Sequence, residues 1–301
     1  MSYRSGFIAI IGRPNVGKST LLNRLLGQKI AIVTDKPQTT RNRILGIRNL
    51  PESQMIFFDT PGIHQPKTKL NQRMVQTAYS SLSEVDLILM LIEATPDLER
   101  REHAIREVDR TILEHLKNIK TPKILIINKI DLISKTNLIP FLEQFNEEKT
   151  FSTIVPLSAL TGENIDQLLE NTRTALPAGN PFFPEDVVTD QPVRFLASEF
   201  IREKAIKMTR EEIPYAIAVQ IDDFKEDTAR NLSLIYATIF VERESQKGII
   251  IGHKGVMLKE IGQAARKELE DLLGAKIYLE LWVKVQKGWR KDDSFLTHMG
   301  Y

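Results

Sequence analysis

Six short apolar runs punctuate the first half of the chain, near residues 7–12, 44–49, 54–58, 86–92, 123–128 and 153–157. Continuous runs without polar alternation read as strands buried on both faces. Most are separated by stretches with apolar residues at three- and four-residue spacing, such as Leu21, Leu22, Leu25 and Leu26, which read as amphipathic helices. This alternation predicts an α/β domain, a mostly parallel six-stranded sheet with helices on both faces. The link from the second strand to the third is too short for a crossover, so that pair should form an antiparallel hairpin.

The periodicity lapses after residue 176, where Pro177, Pro181, Pro184 and Pro192 interrupt helix and ladder alike. We therefore expect a first domain over residues 1–176, a linker over 177–192 and a second domain over 193–301. In the second domain the pattern predicts a helix over Val193–Met208, strands over Tyr215–Ile221 and Leu234–Val241, two helices flanking a GHKG sequence, and a final strand over Lys276–Gln286. That strand alternates, with Ile277, Leu279, Leu281, Val283 and Val285 on one face and Tyr278 and Trp282 on the other.

Composition narrows the class. The chain has 301 residues, 42% of them hydrophobic, enough for about two cores. It has no cysteine, which excludes disulfides and thiolate metal sites and points to a reducing cytoplasm. A first strand beginning by Phe7 leaves no room for a signal peptide, and no apolar run reaches the ~18 residues of a membrane span. The net charge of +2 is unevenly spread: residues 181–242 hold 7 basic and 12 acidic side chains, residues 243–291 hold 11 basic and 6 acidic. A polyanion is drawn to the latter stretch.

Residues 12–19, GRPNVGKS, sit between the first strand and the first helix. Gly12 and Gly17 permit a loop so tight that the amides of Arg13, of Asn15 and Val16 beyond Pro14, and of the helix start converge on phosphate oxygens. Lys18 would bridge β- and γ-phosphates and Ser19, next to Thr20, would ligate Mg²⁺. Residues 59–62 read Asp59, Thr60, Pro61, Gly62 at a strand tip, where Asp59 can hold a Mg²⁺ water and the Gly62 amide can reach the γ-phosphate. The polar segment 34–43 offers Thr39 and Thr40 as further Mg²⁺ ligands; Thr40 is the preferred choice, and an ordinary solvated loop is the alternative.

A base-reading motif follows another strand as Asn128, Lys129, Ile130 and Asp131. The Asp131 carboxylate can accept from N1–H and the N2 amine of guanine, while adenine would leave it unpaired, a mismatch that discriminates by ~10⁴ or more. After the sixth strand, the amides of Ser158, Ala159 and Leu160 could donate to guanine O6.

In this order the motifs resemble the translation-factor-related GTPases, and the GRPNVGKS loop with DTPG is most like the Era branch. The residue after Gly62 is the apolar Ile63, where other GTPases use glutamine to orient water, which implies slow intrinsic hydrolysis of ~10⁻⁴ to 10⁻² s⁻¹. In relatives with asparagine at the Asn15 position its carbonyl helps hold K⁺ beside the phosphates, although asparagine also suits a tight turn with no cation.

A GxxG is expected about once by chance in a chain of this glycine content, so its setting carries the weight. Ile249, Ile250 and Ile251 precede Gly252, His253, Lys254 and Gly255, and Leu258, Ile261, Ala265, Leu269 and Leu272 mark the core face of the next helix. Lys259, Arg266 and Lys267 fall off that face, available to phosphate or simply solvated. Lys287, Trp289 and Arg290 have the composition of a base-stacking site, with packing of the tail as the alternative reading of Trp289.

The element order resembles an α+β KH domain of the second topological type, whose groove holds about four single-stranded nucleotides. A GTPase domain followed by such a domain resembles the Era family over essentially the whole chain. The resemblance implies GTP/GDP and Mg²⁺ as ligands and a monomer that binds near the 3′ end of 16S rRNA and assists 30S subunit maturation. It also allows peripheral contact with the cytoplasmic face of the inner membrane. A nucleotide-regulated RNA-binding assembly factor with little turnover and an ATP-driven RNA remodeller are the competing readings; the intact Lys18, Asp59, Asn128 and Asp131 disfavour the first, and the base-reading motif at residues 128–131 disfavours the second.

Overall fold

The computed structural model describes residues 2–94, 106–146, 150–227 and 229–301, which divide into two units. The first comprises residues 1–31, 40–66 and 71–190. Its strands are β1 (Arg4–Ile11), β2 (Ile44–Leu50), β3 (Ser53–Asp59), β4 (Leu87–Glu93), β5 (Lys123–Asn128) and β6 (Thr153–Pro156), in the order β2-β3-β1-β4-β5-β6. The neighbours pair in parallel except for β2, which runs antiparallel to β3 across a hairpin. Chain order reverses about β1, whose neighbours are β3 and β4, and ligands of such sheets bind outside the carboxyl ends at this switch point.

The central strands are buried on both faces, as their unbroken apolar runs require: every residue of Ile8–Ile11, Leu87–Leu91 and Leu125–Ile127 is 0% exposed. On one face Ala9, Ile11, Ile88, Met90, Leu125 and Ile127 pack with Ala78 and Leu82, with Ile112, Leu113 and Leu116, and with Phe145. These last come from or adjoin α2 (Lys69–Ser80), α3 (Glu107–Lys117) and α4 (Lys135–Asn146). On the other face lie α1 (Lys18–Leu26), against β2 and β3, and α5 (Ile165–Ala175), against β1 and β6.

Residues 177–190, expected as linker, pack within this first unit. The Ile47 amide donates to Val188 O at 2.7 Å, the Gln54 side chain bonds the backbone of Phe182 and Phe183, and Phe183 and Val187 cover Leu45, Ile47, Ile56 and Phe58. Prolines prevent a regular element here, yet side chains between them still cap the exposed flank of β2 and β3.

The second unit holds residues 191–301 together with 32–39 and 67–70. It contains α6 (Val193–Lys207), α7 (Ile213–Ala216), β7 (Ala218–Asp227), β8 (Leu232–Val241), α8 (Glu244–Ile251), α9 (Val256–Leu273), β9 (Lys276–Val285) and α10 (Asp293–His298). β7 and β8 are antiparallel, β8 and β9 parallel, and β9 is an edge. The strand expected from Tyr215 starts instead at Ala218, because Pro214 near the start of α7 favours a helical turn through Tyr215. The core joins Ile201, Ala205 and Ile206 of α6 and Ile261 and Ala265 of α9 to Ala237, Ile239 and Val283 of the sheet.

Residues 32–39 do not form the ordinary solvated loop that was the alternative reading of 34–43. Ile32 is buried with Ala197, Phe200, Ile235, Leu269 and Ile277. The Val33 amide donates to the buried Glu203 carboxylate at 2.9 Å, and Arg202, held by Glu199, donates to Thr39 O at 2.6 Å. Thr40 and Arg41, which belong to the first unit, are also buried. Polarity alone suggests solvent; charged partners on α6, 170 and 163 residues away, satisfy the backbone instead.

Candidate nucleotide site and nucleic-acid interface

The loop after β1 enters α1 at Lys18 through Gly17, whose φ of 102° lies in the left-handed region. A side chain there would also collide with Asn128, since a Cβ would lie 2.2 Å from its Nδ2. Lys18 is buried, and its Nζ donates to Gly12 O at 3.0 Å and Arg13 O at 2.9 Å, so the ammonium is held inside the loop. Burial lowers its pKa to about 8, with Asp59 opposing the shift. Asn15 is exposed at the loop tip with φ 65°, the left-handed turn geometry that asparagine tolerates.

Three oxygen-bearing side chains meet beside this lysine. Ser19 Oγ donates to Asp59 Oδ2 at 2.6 Å and lies 2.9 Å from Thr40 Oγ1. The second carboxylate oxygen, Asp59 Oδ1, is buried with no hydrogen-bond partner among the described residues, which costs about 1–3 kcal/mol unless something else meets it. Burial raises the Asp59 pKa to about 6, with Lys18 and Ser19 opposing the rise. One carboxylate and two hydroxyls form a hard oxygen set that fits Mg²⁺ sharing ligands with substrate phosphates. Thr39 is excluded from the set: its hydroxyl bonds Thr34 Oγ1 at 2.6 Å and donates to Lys36 O at 2.7 Å.

Gly62 approaches the loop closely, and a Cβ on it would lie 2.8 Å from Pro14 atoms. The Ile63 amide donates to Gly12 O at 3.1 Å while its side chain turns into the core, so Ile63 contributes backbone and no polar side chain to the site. Thr60 likewise bonds inward, its hydroxyl donating to Ile10 O at 2.8 Å. His64 is the next polar group. Burial lowers its pKa, and the neutral tautomer with Nδ1–H donating to Gly62 O (2.7 Å) and Nε2 accepting from Asn71 (2.8 Å) satisfies both contacts.

At the base end, Asn128 donates to Val16 O at 2.7 Å and accepts from the Ala159 amide at 2.9 Å. The Ser158 amide donates to Glu163 O, so of the three amides expected to face O6 the Leu160 amide is the one without an acceptor among the described residues. Asp131 is exposed, and Lys129 (φ 67°) and Ile130 carry the chain to it. Arg24 of α1 fastens the same loop by donating to Ala159 O (3.2 Å) and to Leu160 O.

Arg13, whose amide is expected at the phosphates, turns its side chain elsewhere. It pairs with Glu93 at the end of β4 and with Asp109 of α3 (3.3 Å), and Glu93 also accepts from Lys129 Nζ at 2.6 Å. One carboxylate thus ties the phosphate loop to the base-reading loop. Burial raises the Glu93 pKa, but hydrogen bonds from Lys129 and Arg13 outweigh it and hold the group below the usual glutamate value. Burial keeps the Asp109 pKa above its usual value despite Arg13. No local pattern marks Glu93; its two partners lie 80 and 36 residues away.

In the second unit, α8 ends at Ile251 and α9 begins at Val256, joined by Gly252 (φ 71°) and Gly255 (φ 80°) with His253 and Lys254 exposed between them. A groove of about 420 Å³ runs beside this turn, lined by Gly255, Leu258, Lys259, Gly262, Gln263 and Arg266 and by Leu279–Leu281 of the β9 edge. Lys267 is exposed but outside this lining, as is Lys287. Two expected contacts are corrected. Ile250 is 0% exposed and belongs to the core, whereas its neighbour Ile249 is 49% exposed. Trp289 is also 0% exposed, its Nε1 donating to Ala216 O at 2.9 Å among Phe295 and Tyr301, so it packs the tail and offers no stacking face. The Gly288 turn, φ 65°, folds it back over the sheet, and Arg290 follows it inward to pair with Glu242.

Fold and site together define a P-loop GTPase carrying a KH domain. Residues 7–129 match the family model described as a 50S ribosome-binding GTPase, and residues 212–290 match the KH domain model. GTPase Era of Geobacter metallireducens is 53% identical over 299 residues, 99% of this chain and 98% of that protein. GTPase Era of Syntrophus aciditrophicus is 53% identical over 99% of this chain and 95% of its own length. A crystal structure of Era with MgGDPNP and nucleotides 1506–1542 of 16S ribosomal RNA superposes with a TM-score of 0.93 at 47% identity, covering 99% of both chains. A variant of Aquifex aeolicus Era bound to GDP·AlF₄⁻ gives 0.93 at 46% identity, again over 99% of each chain. The chain belongs to the Era family of GTPases.

Removing the acceptor shared by Arg13 and Lys129 loosens both loops. Glu93→Gln should accelerate release of a fluorescent GDP and of a GTP analogue alike, by about tenfold on the scale of a charge-assisted hydrogen bond. Unchanged release rates in stopped flow would show that the bridge does not hold the nucleotide loops.

Proposed function

We propose that this GTPase is a slow switch whose nucleotide state governs single-stranded RNA binding by its KH domain, at the 3′ end of 16S rRNA during 30S subunit maturation. The observation that carries the reading is the pairing of an intact oxygen set, Ser19, Thr40 and Asp59, with a GxxG groove on a basic stretch of the same chain. The solved relative bound to MgGDPNP and 16S rRNA supports the choice of RNA. The nucleotide chemistry is assigned to the first unit and RNA binding to the second. The cytoplasm is the proposed location, in keeping with a chain that has no cysteine.

The first unit binds by backbone and charge. Amides of residues 13 and 15–18 and the Lys18 ammonium neutralise the β- and γ-phosphates, and Asp131 selects guanine through its two donors. Mg²⁺ held by Ser19, Thr40 and Asp59 would supply positive charge to the phosphate oxygens. With Ile63 turned into the core, no side chain at that position orients the attacking water, so turnover stays slow until something external completes the site. Asn15 at the loop tip is assigned to a K⁺ that offsets the developing charge.

Coupling follows the chain. Thr40 lies with Ser19 and Asp59 in the first unit, while Thr39, the preceding residue, belongs to the second and is gripped by Arg202. A ligand that draws Thr40 therefore works against a segment anchored on α6, the kind of discrete element through which a γ-phosphate biases a distant surface.

Two outcomes test this reading. GTP hydrolysis at matched ionic strength should be faster in KCl than in NaCl, and equal rates would remove the K⁺ assignment. The double change Lys254→Ala with Lys259→Ala should weaken binding of 16S 3′-end RNA and flatten its salt dependence by about one log–log unit for each phosphate no longer neutralised. An unaltered affinity and slope would reject the groove as the RNA site.

A further inference from the structure

The GxxG groove accounts for only part of the RNA that an Era relative binds. A KH groove clamps about four nucleotides, whereas the solved relative carries the whole span 1506–1542. RNA beyond the groove is free to meet other surface, and the second unit offers a continuation of the groove.

A second cleft, about 870 Å³, lies past the beginning of β9. It shares Arg266 and Leu279 with the groove and extends to Leu234, Lys276 and Tyr278. The cleft therefore wraps the edge strand, from the helix-covered side of the sheet to its open face. On that face, alternation along β9 places Lys276, Tyr278, Glu280, Trp282 and Lys284, with Ile277 and Val283 buried beneath. Tyr236 of β8 stands between two of the rings, 6.0 Å from the centroids of both Tyr278 and Trp282, and near parallel to Trp282 at 21°. Tyr278 and Trp282 are 47% and 42% exposed, open to solvent where most large apolar side chains of the unit are covered. Further up the sheet Phe240 is covered by Phe295 of α10, so the open aromatic row ends near Trp282.

Positive charge on this face lies at the two ends of the β9 row. The carboxylates of the face are each engaged: Glu280 by the Tyr278 hydroxyl, Asp223 by Lys225 and Arg194, Asp227 by Arg230, and Asp222 by Thr238. Lys276 and Lys284, at the two ends of the row, have no ion-pair partner among the described residues. Exposed rings in series, flanked by uncommitted lysines and continuous with a nucleic-acid groove, are the composition of a base-stacking platform.

We infer that RNA leaving the GxxG groove passes Arg266, rounds the β9 edge and stacks unpaired bases on Tyr278 and Trp282, with Lys276 and Lys284 meeting its phosphates. The inference rests on the RNA-binding reading of the groove. Full-length Tyr278→Ala/Trp282→Ala protein, checked for folding by the fluorescence of the buried Trp289, is titrated with two labelled RNAs. One is an oligonucleotide of about four nucleotides that fills the groove; the other spans 1506–1542.

The double variant should bind the long RNA at least about thirtyfold more weakly, the lower end expected when two base stacks are removed, and bind the short one like the parent. Lys276→Glu/Lys284→Glu should repeat this selectivity, whereas the groove variants Lys254→Ala/Lys259→Ala should weaken both RNAs. Undiminished binding of the long RNA by both sheet-face variants would overturn the proposal. So would retained RNA binding with failure to co-sediment on 30S subunits, which would make the face a protein contact. If the parent bound neither RNA, the failure would lie with the groove itself.

Discussion

The nucleotide site depends on one buried side-chain amide. Asn128 spends its NH₂ on Val16 O and its oxygen on the Ala159 amide, and it presses so closely on the phosphate loop that residue 17 has no room for a side chain. Three loops at the carboxyl ends of β1, β5 and β6 are thereby fixed to one another. Both functional groups of a 2% exposed amide must be matched, since each would otherwise be a buried unsatisfied polar atom. The Glu93 bridge makes a second, ionic link between two of those loops, and Arg24 a third to the last. Base recognition and phosphate binding are consequently one mechanical assembly.

The metal side is arranged differently. Asp59 is wholly buried, raised in pKa and left with one oxygen unmatched, an expensive state that a divalent cation relieves. Thr40, which completes the oxygen set, follows directly on a segment that bonds to α6 of the second unit. In the proposed switch, oxygen ligation at Thr40 would compete with the Glu203 and Arg202 contacts at Val33 and Thr39 for one chain segment.

Much of this is legible in the sequence because phosphate and base recognition rely on local backbone chemistry. GRPNVGKS, DTPG and NKID carry their glycines, hydroxyls and carboxylates in fixed order, and the apolar runs Ile8–Ile11 and Ile124–Ile127 locate the strands that present them. The Thr40 hydroxyl lies beside Ser19, whereas that of Thr39 bonds Lys36 O. Partners distant in sequence are not legible. Glu93 and Asp109 become significant only when Arg13 is folded against them. For polar residues 34–39 the sequence leaves a solvated loop open as an alternative, because nothing local shows that α6 will receive them. Trp289, between basic residues, has the composition of a stacking site, yet its large apolar area and a free acceptor at Ala216 O bury it. The stacking surface falls instead on Tyr278 and Trp282, whose outward direction the strand alternation already indicates.

The most direct test of the central claim, that nucleotide state and RNA binding are linked through this chain, is the affinity of the full-length protein for 16S 3′-end RNA. It would be measured with GDP and with a non-hydrolysable GTP analogue at the same Mg²⁺ and salt. The account predicts affinities that differ by at least about fivefold, the lower end of ordinary coupling energies. Because linkage is reciprocal, the RNA should shift the relative affinity for the two nucleotides by the same factor. Identical RNA affinities in the two states would contradict it, leaving a GTPase and an RNA-binding domain that share a chain without sharing a switch.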